Sequence, residues 1–218
     1  SRRADDEPFS SYRACVHAIG VALHAVPELG MRIRGDQLVQ HDRIVLSPTV
    51  QFDDGRLGFT YLDWQPDADS FAAQSRLVIA DTLAGGTIKP GVDGDDGVAF
   101  LSCQPWLDFT SFDNPVLNSD DSIPRICWGK YTPEVTGRWT MAVALQVHHG
   151  LLDGVHVAQF FREMQRAADR FSRPSLAIGR QIGIINGDRG DQPGHADHKT
   201  QAKRCPQDDT QSQHNLAA

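Results

Sequence analysis

The fold is decided by residues 139–158, which read WTMAVALQVHHGLLDGVHVA. Apolar residues stand at every second position from 139 to 147, which predicts a β-strand. From Val155 to Phe171 the apolar spacing changes to three and four residues, which predicts a helix that Pro174 closes. Two histidines, an acid and a glycine therefore lie at a strand-to-helix junction. An imidazole held in one orientation there suits a general base, which makes acyl transfer the leading hypothesis.

The junction residues have different expected roles. His149 falls on the same strand face as Val147 if the strand continues. Asp153 stands where the helix begins, so a buried carboxylate that caps the helix or pairs with an arginine is expected. Gly154 would let neighbouring backbone approach closely. The alternative is an ordinary surface or core pair, His148 and His149, without a catalytic role.

The rest of the chain alternates between helical and strand patterns. Apolar residues from Phe9 to Val26 recur at helical spacing, and a second helix is predicted from Asp69 to Gly85. Short strands are predicted at 31–34, 38–39, 43–46, 49–52, 57–62 and 98–102. Turns at Gly35-Asp36 and Asp53-Asp54-Gly55 join some of them as hairpins, and residues 87–97, rich in Gly, Asp and Pro, are predicted to form a loop. This order predicts an α/β fold, an α+β two-layer sandwich in which a mixed β-sheet is packed with helices.

Composition narrows the function further. The chain has 218 residues, 40% of them hydrophobic and 22% charged, as expected for one soluble globular domain. The formal net charge of −7 argues against a nucleic-acid partner. No apolar run is long enough to span a membrane, and residues 1–8 lack the apolar core of a signal peptide, so cytoplasmic residence is expected.

Neither the cysteines nor the chain ends indicate a catalytic or metal-binding site. The four cysteines, at positions 15, 103, 127 and 205, match neither a zinc spacing nor a dense disulfide framework, so free thiols and no metal site are expected. From Asn186 onward polar residues and glycine dominate, which predicts a disordered tail over 175–218 with solvated histidines. A folded domain is accordingly predicted over 9–174, preceded by a distinct segment, 1–8.

Several motifs together resemble one known family. Residues 143–149, followed by Asp153-Gly154 and residues 155–158, closely resemble the histidine segment of the chloramphenicol acetyltransferases. The resemblance extends to three upstream stretches: Leu101-Ser102 with Pro105-Trp106, Phe109-Thr110-Ser111-Phe112-Asp113, and Gly129-Lys130-Tyr131. Weaker similarity surrounds 28–32, so the resemblance covers the chain from Ser11 to Phe171.

The resemblance implies an activity and an assembly. It implies the CoA-dependent acyltransferase type of fold, acetyl-CoA as co-substrate, chloramphenicol as acceptor, no metal, and a homotrimer with each active site between two subunits. His149 is implied to be the general base, removing the proton of the acceptor hydroxyl in a ternary complex. Ser102 is implied to donate a hydrogen bond to the oxyanion of the tetrahedral intermediate.

The resemblance also assigns supporting residues. Asp153 is implied to be structural, and His148 is expected to pack rather than to react. Trp106, Lys130 and Tyr131 are implied to bind the coenzyme, Lys130 through its phosphates. Without the resemblance these residues would be interpreted as core aromatics and a solvated lysine, and Ser102 as a cap at a strand end.

Three departures leave other functions open. First, the family's first strand and helix, which carry the arginine partner of Asp153, have no counterpart in this sequence. Second, Cys127 replaces a family threonine, and a thiol is a weaker hydrogen-bond donor than a hydroxyl. Third, the tail is unlike the family. One alternative is therefore a truncated, catalytically silent member that acts as a binding module. Another is the acyltransferase core of a 2-oxoacid dehydrogenase complex, which shares the histidine motif but carries lipoyl and subunit-binding modules not found here.

Overall fold

A computed structural model of the chain describes residues 10–85, 96–171 and 181–182. Its helices are α1 (Ser11–His24), α2 (Ala68–Gly85) and α3 (Gly154–Arg170), with a 3-10 helix at Pro27–Gly30. The strands are β1 (Met31–Arg34), β2 (Gln37–Gln40), β3 (Val45–Gln51), β4 (Leu57–Phe59), β5 (Leu62–Asp63), β6 (Val98–Cys103), β7 (Arg125–Trp128), β8 (Thr132–Pro133), β9 (Trp139–Thr140), β10 (Val143–Gln146) and β11 (Gln181–Ile182). All of them belong to the unit Ser1–Asp188, and a second unit, Arg189–Ala218, lies outside the described residues.

A mixed sheet forms the centre of the described fold. Its strand order is β11-β10-β7-β6-β3-β4, and β5 also pairs with β3. Strand β6 runs parallel to β3 and β7, whereas β10 is antiparallel to β7. The hairpins β1-β2 and β8-β9 form separate small sheets, and the predicted turns at Gly35 and Gly55 are confirmed by positive φ angles of 62° and 85°. The predicted α/β class with a mixed sheet is thus confirmed.

The main core includes side chains from two helices and the sheet. Ile19 and Leu23 of α1 and Phe160 and Met164 of α3 are fully buried in one cluster with apolar residues of β6, β7 and β10. Each such side chain contributes about 1.5–3 kcal/mol relative to an exposed one. Helix α1 begins at Ser11. The residue before it, Ser10, is the N-cap, and its Oγ accepts a hydrogen bond from Arg13 N (3.3 Å).

Proline explains where two strand predictions were wrong. The predicted strands 43–46 and 49–52 form the single strand β3, which runs through Pro48. The predicted strand 57–62 is divided into β4 and β5, and both pair with β3 in one antiparallel register. The interruption lies opposite Pro48, which has no N–H to donate to the ladder. Thr60 N still donates to Pro48 O, at 3.1 Å.

The strand before the histidines also differs from its prediction. The predicted strand 139–147 is divided into β9 and β10, and β10 ends at Gln146. All four residues of β10 are buried, since strands lie on both sides of it and the core covers it. Strand β7 was missed, because its four residues, Arg125–Trp128, are too few to show a period.

Part of the predicted tail contains a strand. Gln181 and Ile182 form β11, which pairs in parallel with β10. The other residues of 175–218, and residues 1–8, lie outside the described residues. The predicted loop 87–97 is described only at its last two residues, Asp96 and Gly97.

Trp64 packs closely against helix α1. The imidazole of His24 stacks on its indole, with ring centroids 4.4 Å apart and 19° between the planes. His17 lies two turns earlier on the same helix, with its ring 6.0 Å from that of Trp64. A Cβ at Gly20 would overlap the indole ring, so glycine is required where α1 crosses Trp64.

The hydrogen bonds of His24 require a neutral ring. A carbonyl oxygen only accepts, so Nδ1 donates to Gly20 O (2.8 Å), and Nε2 accepts from Ile44 N (3.2 Å). Burial lowers the pKa of His24, and burial likewise lowers the pKa of His17, although a backbone carbonyl acts in the opposite direction on each.

We expect the free energy of unfolding to decrease as the pH falls below about 6.5, the ordinary histidine pKa. Both folded pKa values are lowered, so the unfolded chain binds protons first, and stability is lost as the pH falls from the unfolded pKa through the folded one. Urea denaturation from about pH 7.5 to about pH 5.5 measures the slope. The slope is expected to be smaller in His24→Gln than in the unaltered chain, because glutamine does not titrate. Equal slopes in the two proteins would contradict the assignment.

Candidate active site

His149 lies in the turn that joins β10 to α3. Its Nδ1 is 3.4 Å from Leu152 O. Since a carbonyl only accepts, Nδ1 carries the proton, and Nε2 keeps the lone pair that a general base needs. Within the described part of the chain, no residue forms a hydrogen bond with Nε2. His149 would share the face of Val147 only if the strand continued, but the strand ends at Gln146, Val147 is buried and His149 is exposed.

His148 is hydrogen-bonded through both ring nitrogens. Its Nδ1 accepts from Gly150 N at 3.1 Å, so Nε2 carries the proton and donates to Ser119 O at 3.0 Å. The ring is half-buried and ties the turn to the loop around Ser119. The two adjacent histidines thus differ: one ring is fully engaged, and the other presents a free nitrogen.

Asp153 is the N-cap of α3, and its backbone N–H donates to His156 Nδ1 at 2.9 Å. The expectation of a buried carboxylate is wrong in this chain, since Asp153 is exposed at the helix N-terminus, where water and the helix dipole stabilise its charge. None of the described residues forms an ion pair with it. Gly154 is the first residue of α3, and a Cβ there would meet no heavy atom within 4 Å. The close backbone approach expected at Gly154 is therefore not found.

Ser102 lies near the end of β6, directly across from Cys127 in β7. Its hydroxyl is half-buried and accepts a hydrogen bond from Gln104 Nε2 at 2.9 Å. Burial raises the pKa of Cys127 to about 12 and that of Cys103 to about 11. Both thiols beside Ser102 are therefore protonated at neutral pH.

The three predicted coenzyme residues follow β6 and β7 at the same end of the sheet as Ser102. Backbone hydrogen bonds of 2.8 and 2.7 Å join the loops after the two strands. Trp106 lies in the first loop with 69% of its surface exposed, and Lys130 is exposed in the second. Tyr131 donates from its hydroxyl to Ser11 O at 3.3 Å, and burial raises its pKa.

The sheet register separates Ser102 from His149 within one chain. Ser102 is level with Cys127, which is level with Ala144 of β10. Strand β10 continues from Ala144 away from the Ser102 end, and His149 follows three residues after Gln146. At about 3.3 Å per residue, the end of β10 at Gln146 already lies roughly 7 Å from the level of Ser102 along the strand direction, and His149 follows in the turn beyond it. A single chain does not bring the predicted base and the predicted oxyanion donor together.

A cavity of about 300 Å³ opens beside Ser102. Its walls are mainly apolar, and Arg125 adds a charge that is paired with Asp121 (2.7 Å) and lies 5.8 Å from the Phe100 ring. The lining residues are Thr49, Phe59, Phe100, Leu101, Ser102, Asn114, Pro115, Leu117, Arg125 and Ile126. The cavity has the size and the apolar character of a site for a small organic molecule.

Sequence reasoning missed several residues around this cavity. Gln146 is buried, and its amide accepts from Asn114 N (2.9 Å) and donates to Asn114 O (3.1 Å), which fixes one wall. Asp121 and Arg125 have opposite charges and are four residues apart, a spacing that indicates an ion pair only within a helix. Asp121 lies in a loop and Arg125 in β7, so the spacing did not predict their pairing.

No metal centre is found among the described residues: no group of three or more histidine, cysteine or acidic side chains is arranged to hold an ion there. Within the same ranges, no helix is both long and apolar enough to cross a membrane. The tail histidines, His195, His198 and His214, lie outside the described residues.

The comparisons with known proteins show one family and a fold that other acyltransferases share. The chloramphenicol acetyltransferase family model matches residues 3–165. A chloramphenicol acetyltransferase of Escherichia coli is 31% identical over 163 residues, which are 73% of each protein. A solved chloramphenicol acetyltransferase is 25% identical with a TM-score of 0.60, covering 72% of this chain and 77% of that one. The truncated catalytic core of a Thermoplasma acidophilum 2-oxoacid dehydrogenase complex, 12% identical with a TM-score of 0.54 over 74% of each chain, shares the fold.

We expect His148→Ala to lower the free energy of unfolding by about 1–2 kcal/mol, because it removes two hydrogen bonds that hold the turn. His148→Asn keeps an acceptor for Gly150 N, and His148→Gln keeps a donor for Ser119 O, so each is expected to lose less. Chemical denaturation of the three variants measures the difference. Equal losses in all three would show that packing, and not hydrogen bonding, stabilises this ring.

Proposed function

The chain belongs to the chloramphenicol acetyltransferase family, whose members use acetyl-CoA as co-substrate, and we propose from this membership that it transfers the acetyl group of acetyl-CoA to a hydroxyl of chloramphenicol. The observation that carries the proposal is the turn at His149. Its Nδ1–H faces Leu152 O, so Nε2 is the free, unprotonated nitrogen that must accept the proton of the acceptor.

In the proposed reaction, both substrates bind before any bond changes. His149 Nε2 removes the proton of the acceptor hydroxyl as its oxygen attacks the thioester carbonyl, and a tetrahedral intermediate forms. The carbon–sulfur bond then breaks, and the imidazolium returns the proton to the CoA thiolate. The Leu152 carbonyl, which accepts from Nδ1–H, stabilises the imidazolium in between. No acyl-enzyme is required.

Ser102 is proposed to donate its hydroxyl proton to the oxyanion of the intermediate. Since one chain separates Ser102 from His149, the proposal requires two copies of the chain at each site: Ser102 from one and His149 from its neighbour. A closed ring of three such interfaces is the proposed homotrimer. Asp153 is proposed to be structural, holding the start of α3 next to the base.

The substrates are proposed to bind on the Ser102 side. The apolar cavity beside Ser102, with Phe59 and Phe100 in its wall, suits the aromatic ring of the acceptor. Trp106 and Tyr131 are proposed to line the coenzyme site. Lys130, an exposed cation at the same end, is proposed to meet the phosphates of CoA.

A second candidate is a catalytically silent family member that binds small molecules. The observation in its favour is that Asp153 has no ion-pair partner among the described residues. The same assay separates the two candidates, because the silent protein would release no CoA thiol.

We expect acetyl-CoA-dependent thiol release when chloramphenicol is added to the unaltered chain. Removing the base in His149→Ala is expected to lower kcat by about 10²–10⁴-fold, and removing the oxyanion donor in Ser102→Ala by about 10²–10³-fold. A thiol-reactive chromophore measures the rate, and His41→Gln, which changes a histidine paired with Asp96 (2.7 Å) and not the turn after β10, is the histidine control. If His149→Ala and the unaltered chain gave equal rates, the proposed role of His149 would be wrong.

We also expect the two inactive variants to restore activity when they are co-assembled. In a mixed trimer of Ser102→Ala and His149→Ala chains, one of the three interfaces joins an intact Ser102 to an intact His149, which amounts to about a quarter of all interfaces when equal amounts of the two variants assemble at random. Unfolding the variants together and refolding them should therefore recover thiol release, whereas refolding each alone should not. Failure to recover activity from trimers of proven mixed composition would place both residues in one chain's site.

A further inference from the structure

Gln104 is held in place by three hydrogen bonds at the end of β6. Its backbone N–H donates to Trp128 O at 2.8 Å, and its carbonyl accepts from Leu107 N at 3.0 Å. With its backbone fixed on both sides, the side chain turns back along the strand, and Nε2 donates to Ser102 Oγ at 2.9 Å. The amide is thus directed at the hydroxyl from a rigid support.

The direction of this hydrogen bond determines where the serine proton goes. A hydroxyl has one proton and two acceptor lone pairs, whereas an amide nitrogen only donates. Gln104 Nε2 therefore occupies a lone pair of Ser102 Oγ and leaves the proton free for another acceptor. The Ser102 hydroxyl also forms a hydrogen bond with Cys127 across from it, but a thiol that stays protonated is a weak acceptor and competes only weakly for that proton.

We infer that Gln104 is a positioning residue for acetyl transfer: its side-chain amide, by donating to Ser102 Oγ, directs the Ser102 hydroxyl proton toward the oxyanion of the intermediate. The inference rests on the proposed function. A hydroxyl that accepts one hydrogen bond is also a stronger donor in the next, so Gln104 both orients and strengthens the oxyanion contact.

Two substitutions at this position separate hydrogen bonding from shape. Gln104→Met keeps the length of the side chain without a donor, and kcat is expected to fall about 10-fold. Gln104→Glu keeps the shape, but its carboxylate accepts the Ser102 proton and adds a negative charge beside the oxyanion, so kcat is expected to fall about 10²-fold. KM for chloramphenicol is expected to change less than about 2-fold in both, since the contact strengthens only in the transition state. Gln74→Met, on helix α2, is the matched control and keeps the kcat of the unaltered chain.

A pH series adds a readout that a structural role would not change. The kcat of Gln104→Glu divided by that of the unaltered chain is expected to rise as the pH falls toward the carboxyl pKa, because a protonated carboxyl can donate to Ser102 again. The division cancels the pH dependence that the two proteins share. A ratio that stays constant with pH, or a Gln104→Glu chain as fast as the unaltered one, overturns the inference even if Gln104→Met folds poorly.

A double-mutant cycle completes the test. In the Ser102→Ala background, Gln104→Met is expected to change kcat less than about 2-fold, because the hydroxyl that it positions is gone. If Gln104→Met costs the same factor in both backgrounds, Gln104 acts independently of Ser102, and the inference is overturned while the proposed function stands. If the unaltered chain releases no thiol at all, both are overturned.

Discussion

The hydrogen-bond register of β7 is the constraint on which the candidate site depends. Strand β7 pairs in parallel with β6 on one side and antiparallel with β10 on the other. This arrangement sends β6 toward Ser102 and β10 toward His149, at opposite ends of the same sheet. A shift of one residue in either pairing would send each side chain of the strand to the opposite face of the sheet, and both faces would then have to repack, so the register is fixed by the core as well as by the backbone.

The core makes this arrangement rigid at the histidine end. Helix α3 begins directly after the turn and buries Phe160 and Met164 against α1 and the sheet. The turn is therefore held between a fully buried strand and a well-packed helix, and His148 adds one hydrogen bond to a third segment, at Ser119. A histidine on a short turn that is anchored in this way keeps its orientation when substrates bind and products leave, as the proposed general base requires.

Much of this could be predicted from the sequence where the chain is strongly periodic. The change of period around residues 148–154 predicted the turn and α3, and Gly35 and Gly55 predicted their hairpins. Strand β7 is too short to show a period, and the effect of Pro48 on its partner strand depends on pairing that one sequence does not display. The exposure of Asp153 was misjudged because apolar neighbours suggested burial, whereas its place at the helix N-terminus decides its surroundings. The bond from Gln104 to Ser102 depends on where the loop after β6 is anchored, which no local pattern encodes.

The contact between Gly20 and Trp64 has a consequence for how this chain can vary. The indole occupies the space that any side chain at position 20 would need, and the same ring supports His24 by stacking. Position 20 and Trp64 therefore compete for the same space. A residue larger than glycine at position 20 would require a side chain smaller than tryptophan at position 64, in the segment before α2. Such a pair is expected to change together during evolution, so that its covariation across homologues would record the packing distance between α1 and Trp64.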